Sequence, residues 1–295
     1  MNYKLHYHSA KNWINDPNGL CFYKGLFHIY YQYNPKGTKW GNICWGHCTT
    51  KDFINYNEEK VALNNDMPYD CDGVFSGNGI VIKDILYVYY TSVSPLHPTQ
   101  SVAISTDGYK FEKYEKNPLI DTHSEARDPY VFYYDNELYM IIGAQDKVLL
   151  YKGIDPYHFE YLSDLVTGNG FFECPNLVKI GNKFLLKYSS IDDKKDHFYL
   201  GIFDGRHFFK EKEIFITLPN NYYAAQIFSH EGKIIMMGWI ANPSYDGKTP
   251  FNGCLSIPRE LFLENGNLKT RPIKNHEIFM IDGMIIDNDI IEEFK

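Results

Sequence analysis

Residues 23–33 read YKGLFHIYYQY, a short polar turn at Lys24 and Gly25 followed by an apolar, aromatic-rich run. The same form returns as IKDILYVYYTS from Ile82, YDNELYMIIGA from Tyr134, IGNKFLLKYSS from Ile180 and HEGKIIMMGWI from His230. Taking Gly25, Asp84, Asn136, Asn182 and Gly232 as equivalent turn positions, the unit recurs at intervals of roughly fifty residues. Tight turns between β-favouring runs predict hairpins, and a unit of this length suits one four-stranded propeller blade. A β-sandwich would place its turn signals every 8–12 residues or so and would leave the longer period unexplained. We therefore expect an all-β fold, a five-bladed β-propeller of four-stranded antiparallel blades, over residues 1–275. Residues 276–295, apolar and then acidic, are expected to form a short extension, a terminal strand or short helix rather than another blade.

Composition agrees with this reading. Hydrophobic residues make up 44% of 295, with 25 tyrosines and 20 phenylalanines, residue types that favour strands. A net charge of −8 leaves no basic stripe to neutralise phosphates, which argues against a nucleic-acid partner. No apolar run approaches the roughly 20 residues of a spanning helix, so no membrane association is expected. The start, MNYKLHYHSAKNW, has no apolar segment of signal-peptide type, and a cytoplasmic location is expected. The six cysteines are scattered, not set in CxxC pairs, and reduced thiols fit best. Cys44, His47 and Cys48 lie close in sequence but have no second pair at matching spacing, so no metal is expected there.

A propeller gathers the inner strands of its blades around one channel, so acids far apart in sequence can converge. Three acids stand just before a proline or one residue from it: Asp16 in WINDPNG, Asp128 in SEARDPYVF and Glu173 in FFECPNL. Proline restricts the backbone around each. For NDPNG alone, the simpler reading is a chain reversal in which Asp and Asn satisfy backbone groups. The alternative is a rigid turn that holds one carboxylate in a cleft.

With these three motifs the sequence resembles glycoside hydrolase family 32, the β-fructofuranosidases that include invertases, sucrose-6-phosphate hydrolases and fructanases. QYNP (Gln32 to Pro35), WGH (Trp45 to His47), FSGN (Phe75 to Asn78), YYAAQ (Tyr222 to Gln226) and LSIPREL (Leu255 to Leu261) follow in family order. The resemblance covers residues 3 to about 263 and implies a five-bladed propeller. It implies Asp16 as nucleophile, Glu173 as general acid/base and Asp128 as the carboxylate that holds fructosyl hydroxyls. Glu173 must carry a proton to act as acid, and Phe171, Phe172 and the nearby acids would favour that form. Asn15, Gln32, Trp40, Phe75, Ser76 and Arg127 match positions that line the fructose subsite. Taken singly, Trp40 or Phe75 would be packed core residues, Arg127 an ion-pair partner and Gln32 a solvated side chain. His47 is read as structural.

The implied activity is retaining hydrolysis of a terminal β-fructofuranosyl bond in sucrose or sucrose 6-phosphate, a small-molecule sugar substrate, with no cofactor and no metal. The alternatives are a fructan hydrolase, a fructosyltransferase, or a carbohydrate-binding propeller that has lost catalysis. A phosphate site would call on basic groups such as Lys36, Lys39 and Lys248. Two positions depart from the family pattern: Phe172 where a Trp is usual, and Asn221 where an Asp is usual. Family members normally carry a β-sandwich after the propeller, whereas about thirty residues follow LSIPREL here. Either the propeller stands alone or the chain is a truncated form, and reduced stability or homo-oligomerisation is expected from the apolar surface so exposed.

Overall fold

The five repeated turns are the local cause of the architecture. In the computed structural model, which describes residues 3–294, both central residues of Lys24–Gly25, Lys83–Asp84, Asp135–Asn136 and Glu231–Gly232 have positive φ. That is the backbone of the tight two-residue hairpin, whose twist matches that of the strands it joins. In the fourth copy only Gly181 is left-handed. Met1, Asn2 and Lys295, the ends of the two expected segments, lie outside the described residues.

The runs after these turns are second strands buried on both faces. Ile29, Tyr30 and Tyr31, then Val88, Tyr89 and Tyr90, then Met140, Ile141 and Ile142 are all buried, so they read as continuous apolar stretches and not as alternation. The packing partners show what covers them. Tyr30 and Trp45 pack with Leu86, Val88 and Tyr90, and Tyr89 and Val102 with Val131 and Met140. Ile141 and Leu150 share a core with Leu185 and Met236. Ile235 and Met237 return to Ile14, Ile29 and Tyr31. The chain of cores closes on itself, and the all-β molecule is a β-propeller. Phe251 and Asn252 seal the ring by pairing in parallel with Asn12 and Trp13.

Four large sheets form, three of five strands and one of six, against five expected blades. The reason is the strand His158–Ile180, which bonds Glu137–Asp155 through residues 158–171 and Lys183–Ser190 through residues 172–180. It thereby joins into one sheet two repeats that the sequence separates. Beyond the last sheet come a one-turn helix, Lys274–Glu277, and a hairpin, Met284–Asp287 with Ile290–Glu293. The hairpin is tied back to the start of the chain: Asp287 accepts the backbone N–H groups of Lys4, Leu5 and His6. No helix among the described residues is long and apolar enough to cross a membrane.

Candidate active site

The innermost strands share one irregularity. Register shifts fall between Ile14 and Pro17, Arg127 and Tyr130, Glu173 and Asn176, and Tyr223 and Gln226, so these four strands bulge at matching places, and the first shifts again between Asn18 and Cys21. Asp128, Cys174 and Ala224, at the bulges, have φ of 65, 45 and 54°. A bulge bends its strand and re-aims the side chains beside it. The proline after Asp16, Asp128 or Cys174 fits the site because it has no N–H to give to the ladder.

Side-chain amides then lock the inner strands to one another. Asn18 accepts from the Gly77 N–H at 3.3 Å, Asn78 exchanges two bonds with Val131, and Asn176 accepts from the Ile227 N–H at 2.7 Å. Gln226 accepts from the Leu20 N–H and donates to the Gly77 carbonyl.

Asp16, Asn15, Gln32 and Ser76 form one network. The Ser76 hydroxyl donates to Asp16 Oδ2 at 2.6 Å, Asn15 Nδ2 to Oδ1 at 3.0 Å, and Gln32 Nε2 to Oδ2 at 3.3 Å. Trp13 Nε1 orients Asn15 by donating to its Oδ1 at 2.7 Å. Burial pushes the Asp16 carboxyl up, the Ser76 and Asn15 bonds pull against it, and the charge of Glu173 adds to the rise. Asp128 is more deeply set. Its Oδ2 accepts the Cys174 N–H at 2.8 Å, and its own N–H donates to Thr91 Oγ1 at 2.8 Å. Burial first, and then the charge of Glu173, raise its carboxyl to about 7. The Cys174 thiol stands between two of the acids, 3.5 Å from Asp128 Oδ2 and 3.8 Å from Asp16 Oδ2.

Glu173 is held on both oxygens. Arg127 donates to Oε1 through Nε and Nη2 at 3.2 and 2.9 Å, and the Tyr223 hydroxyl donates to Oε2. Burial and the charge of Glu173 hold the Tyr223 phenol far above its ordinary value, so it remains a donor. The aromatic neighbours in sequence point elsewhere. Phe172 enters the core, 2% exposed and 4.4 Å from the Tyr188 ring, while Phe171 lies under the Arg127 guanidinium at 4.1 Å.

Trp40 is 57% exposed and meets Phe75 edge to face at 5.7 Å. Lys36 bonds Asn42 and Lys248 pairs with Asp246, both on exposed surface. Cys44, His47 and Cys48 are all buried; His47 stacks on Tyr30 and faces His28 Nδ1 at 3.1 Å, and Cys44 donates to Asn65. Tyr223 and Cys174 were missed as site residues, although YYAAQ and the neighbour of Glu173 were legible signals. Lys187 was missed as well. Wholly buried, it donates to the Ala225 carbonyl at 2.6 Å and to Ser189, lies 3.2 Å from Asp196, and its charge favours ionised Asp16.

A closed ring of sheets with three carboxylates at bulges of its inner strands defines a β-propeller with an acidic centre. The chain belongs to glycosyl hydrolases family 32, whose N-terminal domain matches residues 6–272. It is 31% identical over 321 residues to the levanase of Bacillus subtilis (strain 168), covering 93% of this chain and 47% of the levanase. It is 31% identical over 313 residues to the raffinose invertase of Escherichia coli, covering 92% and 65%. The chain thus spans less than two thirds of these relatives' length. Among solved structures, the Bombyx mori GH32 beta-fructofuranosidase BmSUC1 superposes with a TM-score of 0.84 at 28% identity, covering 96% of this chain and 68% of that one. A mutant of that enzyme in complex with sucrose gives 0.85 at 27% identity.

Proposed function

We propose that the chain is a retaining β-fructofuranosidase acting on sucrose or sucrose 6-phosphate. The observation that carries this reading is the convergence of three carboxylates from separate inner strands: Asp16 and Asp128 lie on either side of the Cys174 thiol, and the adjoining Glu173 is held by Arg127 and Tyr223. Asp16, fixed by three donors, attacks the anomeric carbon of the fructosyl unit and forms a covalent ester. Glu173 gives its proton to the leaving oxygen and later takes one from the water that hydrolyses the ester. Arg127 and Tyr223 keep its carboxyl in one place through both steps. Asp128 accepts from fructosyl hydroxyls. Exposed Trp40 and the half-buried Phe75 it packs against offer an aromatic face to the sugar. Neither step calls for a cofactor.

Counting the two halves of the six-stranded sheet separately, divided where His158–Ile180 changes partner between residues 171 and 172, gives five blades. The propeller of residues 1–275 and the closing segment 276–295 are then the two parts of the chain. Ile278 and Ile281, largely exposed on that segment, favour self-association, which sedimentation would detect. The levanase likeness supports fructan as a second substrate for the same residues.

Purified chain incubated with sucrose, sucrose 6-phosphate or levan should release reducing sugar from one of them, and Asp16→Ala should not. A phosphorylated preference would fit the cytoplasmic expectation, since a sugar phosphate is too charged to cross a membrane unaided. In Glu173→Ala, mass spectrometry should find fructosyl attached to Asp16. No release from any sugar by the folded chain would leave the carbohydrate-binding alternative.

A further inference from the structure

Away from the channel, two surface loops bring His97, Asp121 and His123 together. His97 lies between the strands Ile85–Val93 and Thr99–Ser105, and the other two precede the strand Arg127–Tyr134. His97 Nε2 is 2.7 Å from Asp121 Oδ1, and His123 Nδ1 is 3.2 Å from the same oxygen. All three atoms lie within 4.8 Å of one another.

These distances are those of a coordination polyhedron. Two ligand atoms, each about 2.1 Å from one ion at right-angled or tetrahedral geometry, stand roughly 3.0–3.4 Å apart. The two edges that meet at Asp121 bracket the lower end of that range. The third edge, between the imidazoles, closes by rotation of the His123 ring, which is 82% exposed and free to turn. The backbone already bends toward this geometry: His123 has φ of 51°, and its N–H donates to Asp121 Oδ1 at 2.7 Å. Two imidazole nitrogens and one carboxylate oxygen form a borderline donor set, suited to zinc and its neighbours and poor for magnesium or calcium, which take oxygen ligands.

We propose that His97, Asp121 and His123 form a surface site for a divalent transition-metal ion of the zinc class. The metal takes the place of the direct approach of the two imidazoles to Asp121, and water completes its coordination. It fastens loop 94–98 to loop 121–126, which leads into Arg127. That junction is already rigid on the protein side. The Ala126 carbonyl accepts from Gln100 Nε2, whose Oε1 accepts from Thr91, and Thr91 in turn accepts the Asp128 N–H. Zinc therefore adds a cross-link at the outer end of an ordered segment.

The test is calorimetric titration of the whole chain with Zn2+, beside Mg2+ and beside the variants His97→Ala and His123→Ala. We expect one strong Zn2+ site, no Mg2+ binding at the same concentrations and a rise in Tm on adding Zn2+. Losing only an outer partner of a metal ligand weakens binding roughly 10–100-fold, so each variant should weaken it at least about tenfold. Without metal His123→Ala should match the parent Tm, since that side chain is 82% exposed, and His97→Ala, 27% exposed and paired only with surface Asp121, should lower it by little. Absence of Zn2+ binding, or binding that neither variant weakens, overturns the proposal.

Discussion

Replacing Asp128 by Asn should stabilise the protein while abolishing hydrolysis, and the stabilisation should depend on pH. Asp128 is buried, and its carboxyl is raised from 3.8 to about 7. The folded chain therefore keeps this proton at pH values where the unfolded chain has lost it. Folding takes up a proton across that window, so stability falls as pH rises from about 4 to about 7 and then levels off. At 1.36 kcal/mol for each tenfold change in proton affinity, the full rise corresponds to about 4 kcal/mol. Part of it is repulsion shared with Glu173, and about 2 kcal/mol is the safer expectation for Asp128 itself. Asn keeps an oxygen to accept the Cys174 N–H and carries no charge at any pH. Scanning calorimetry should find parent and variant alike below about pH 4, with the variant melting several degrees higher at pH 8, at about 2 °C or more per kcal/mol. An Asn variant that is less stable at pH 8, or whose Tm follows pH as the parent's does, refutes the reasoning.

Three further outcomes follow from single contacts. Tyr223→Phe removes the donor to Glu173 Oε2; a hydrogen bond to a charged group contributes about 1.5–3 kcal/mol, so kcat on the cleaved sugar should fall roughly tenfold to a hundredfold, with little change in KM. Asn176→Ala strands the buried Ile227 N–H, and urea unfolding should show a loss of about 1–3 kcal/mol at constant m. Glu292→Gln breaks a buried cluster in which Glu292 faces His6, Arg259 and the Ile257 N–H, at a cost of about 3–5 kcal/mol. The folded His6 holds its proton more tightly than usual: burial opposes the charge, and the bonds to Asp287 and Glu292 outweigh burial. Its contribution is thus complete below about 6.5 and lost as pH rises through the folded value, and the variant's Tm should vary less over that window.

The propeller was legible because each second strand is covered on both faces and opens with a two-residue turn, two constraints that act within eleven residues. Blade boundaries were less so. The chain separates the third and fourth repeats by sequence, but backbone bonding runs unbroken through His158–Ile180, and no local rule marks where one sheet passes into the next. Asp16, Asp128 and Glu173 could be named from their motifs. Their environments could not, because a neighbour in sequence on a strand points to the opposite face. Phe172 beside Glu173 goes into the core, and the groups that touch the carboxyl, Arg127 and Tyr223, come from strands 46 and 50 residues away. His97 is likewise separated from Asp121 by two strands, Thr99–Ser105 and Glu112–Lys113, so no spacing pattern reveals that they meet.

One backbone device explains why motifs so unlike each other serve one channel. Arg127, Glu173 and Tyr223 are each the last paired residue before a bulge, and they meet as a cation, an anion and a phenol. Asp128, Cys174 and Ala224 follow them in left-handed geometry, an uncommon state for residues with a Cβ. A local strain repeated at the same place in adjacent strands is what a functional constraint predicts and what packing alone would remove. The amides of Asn78, Asn176 and Gln226 supply the compensation, bonding Val131, Ile227 and Leu20 of neighbouring inner strands. Convergence of the acids and closure of the ring are therefore one structural problem, solved in the same few residues of each inner strand.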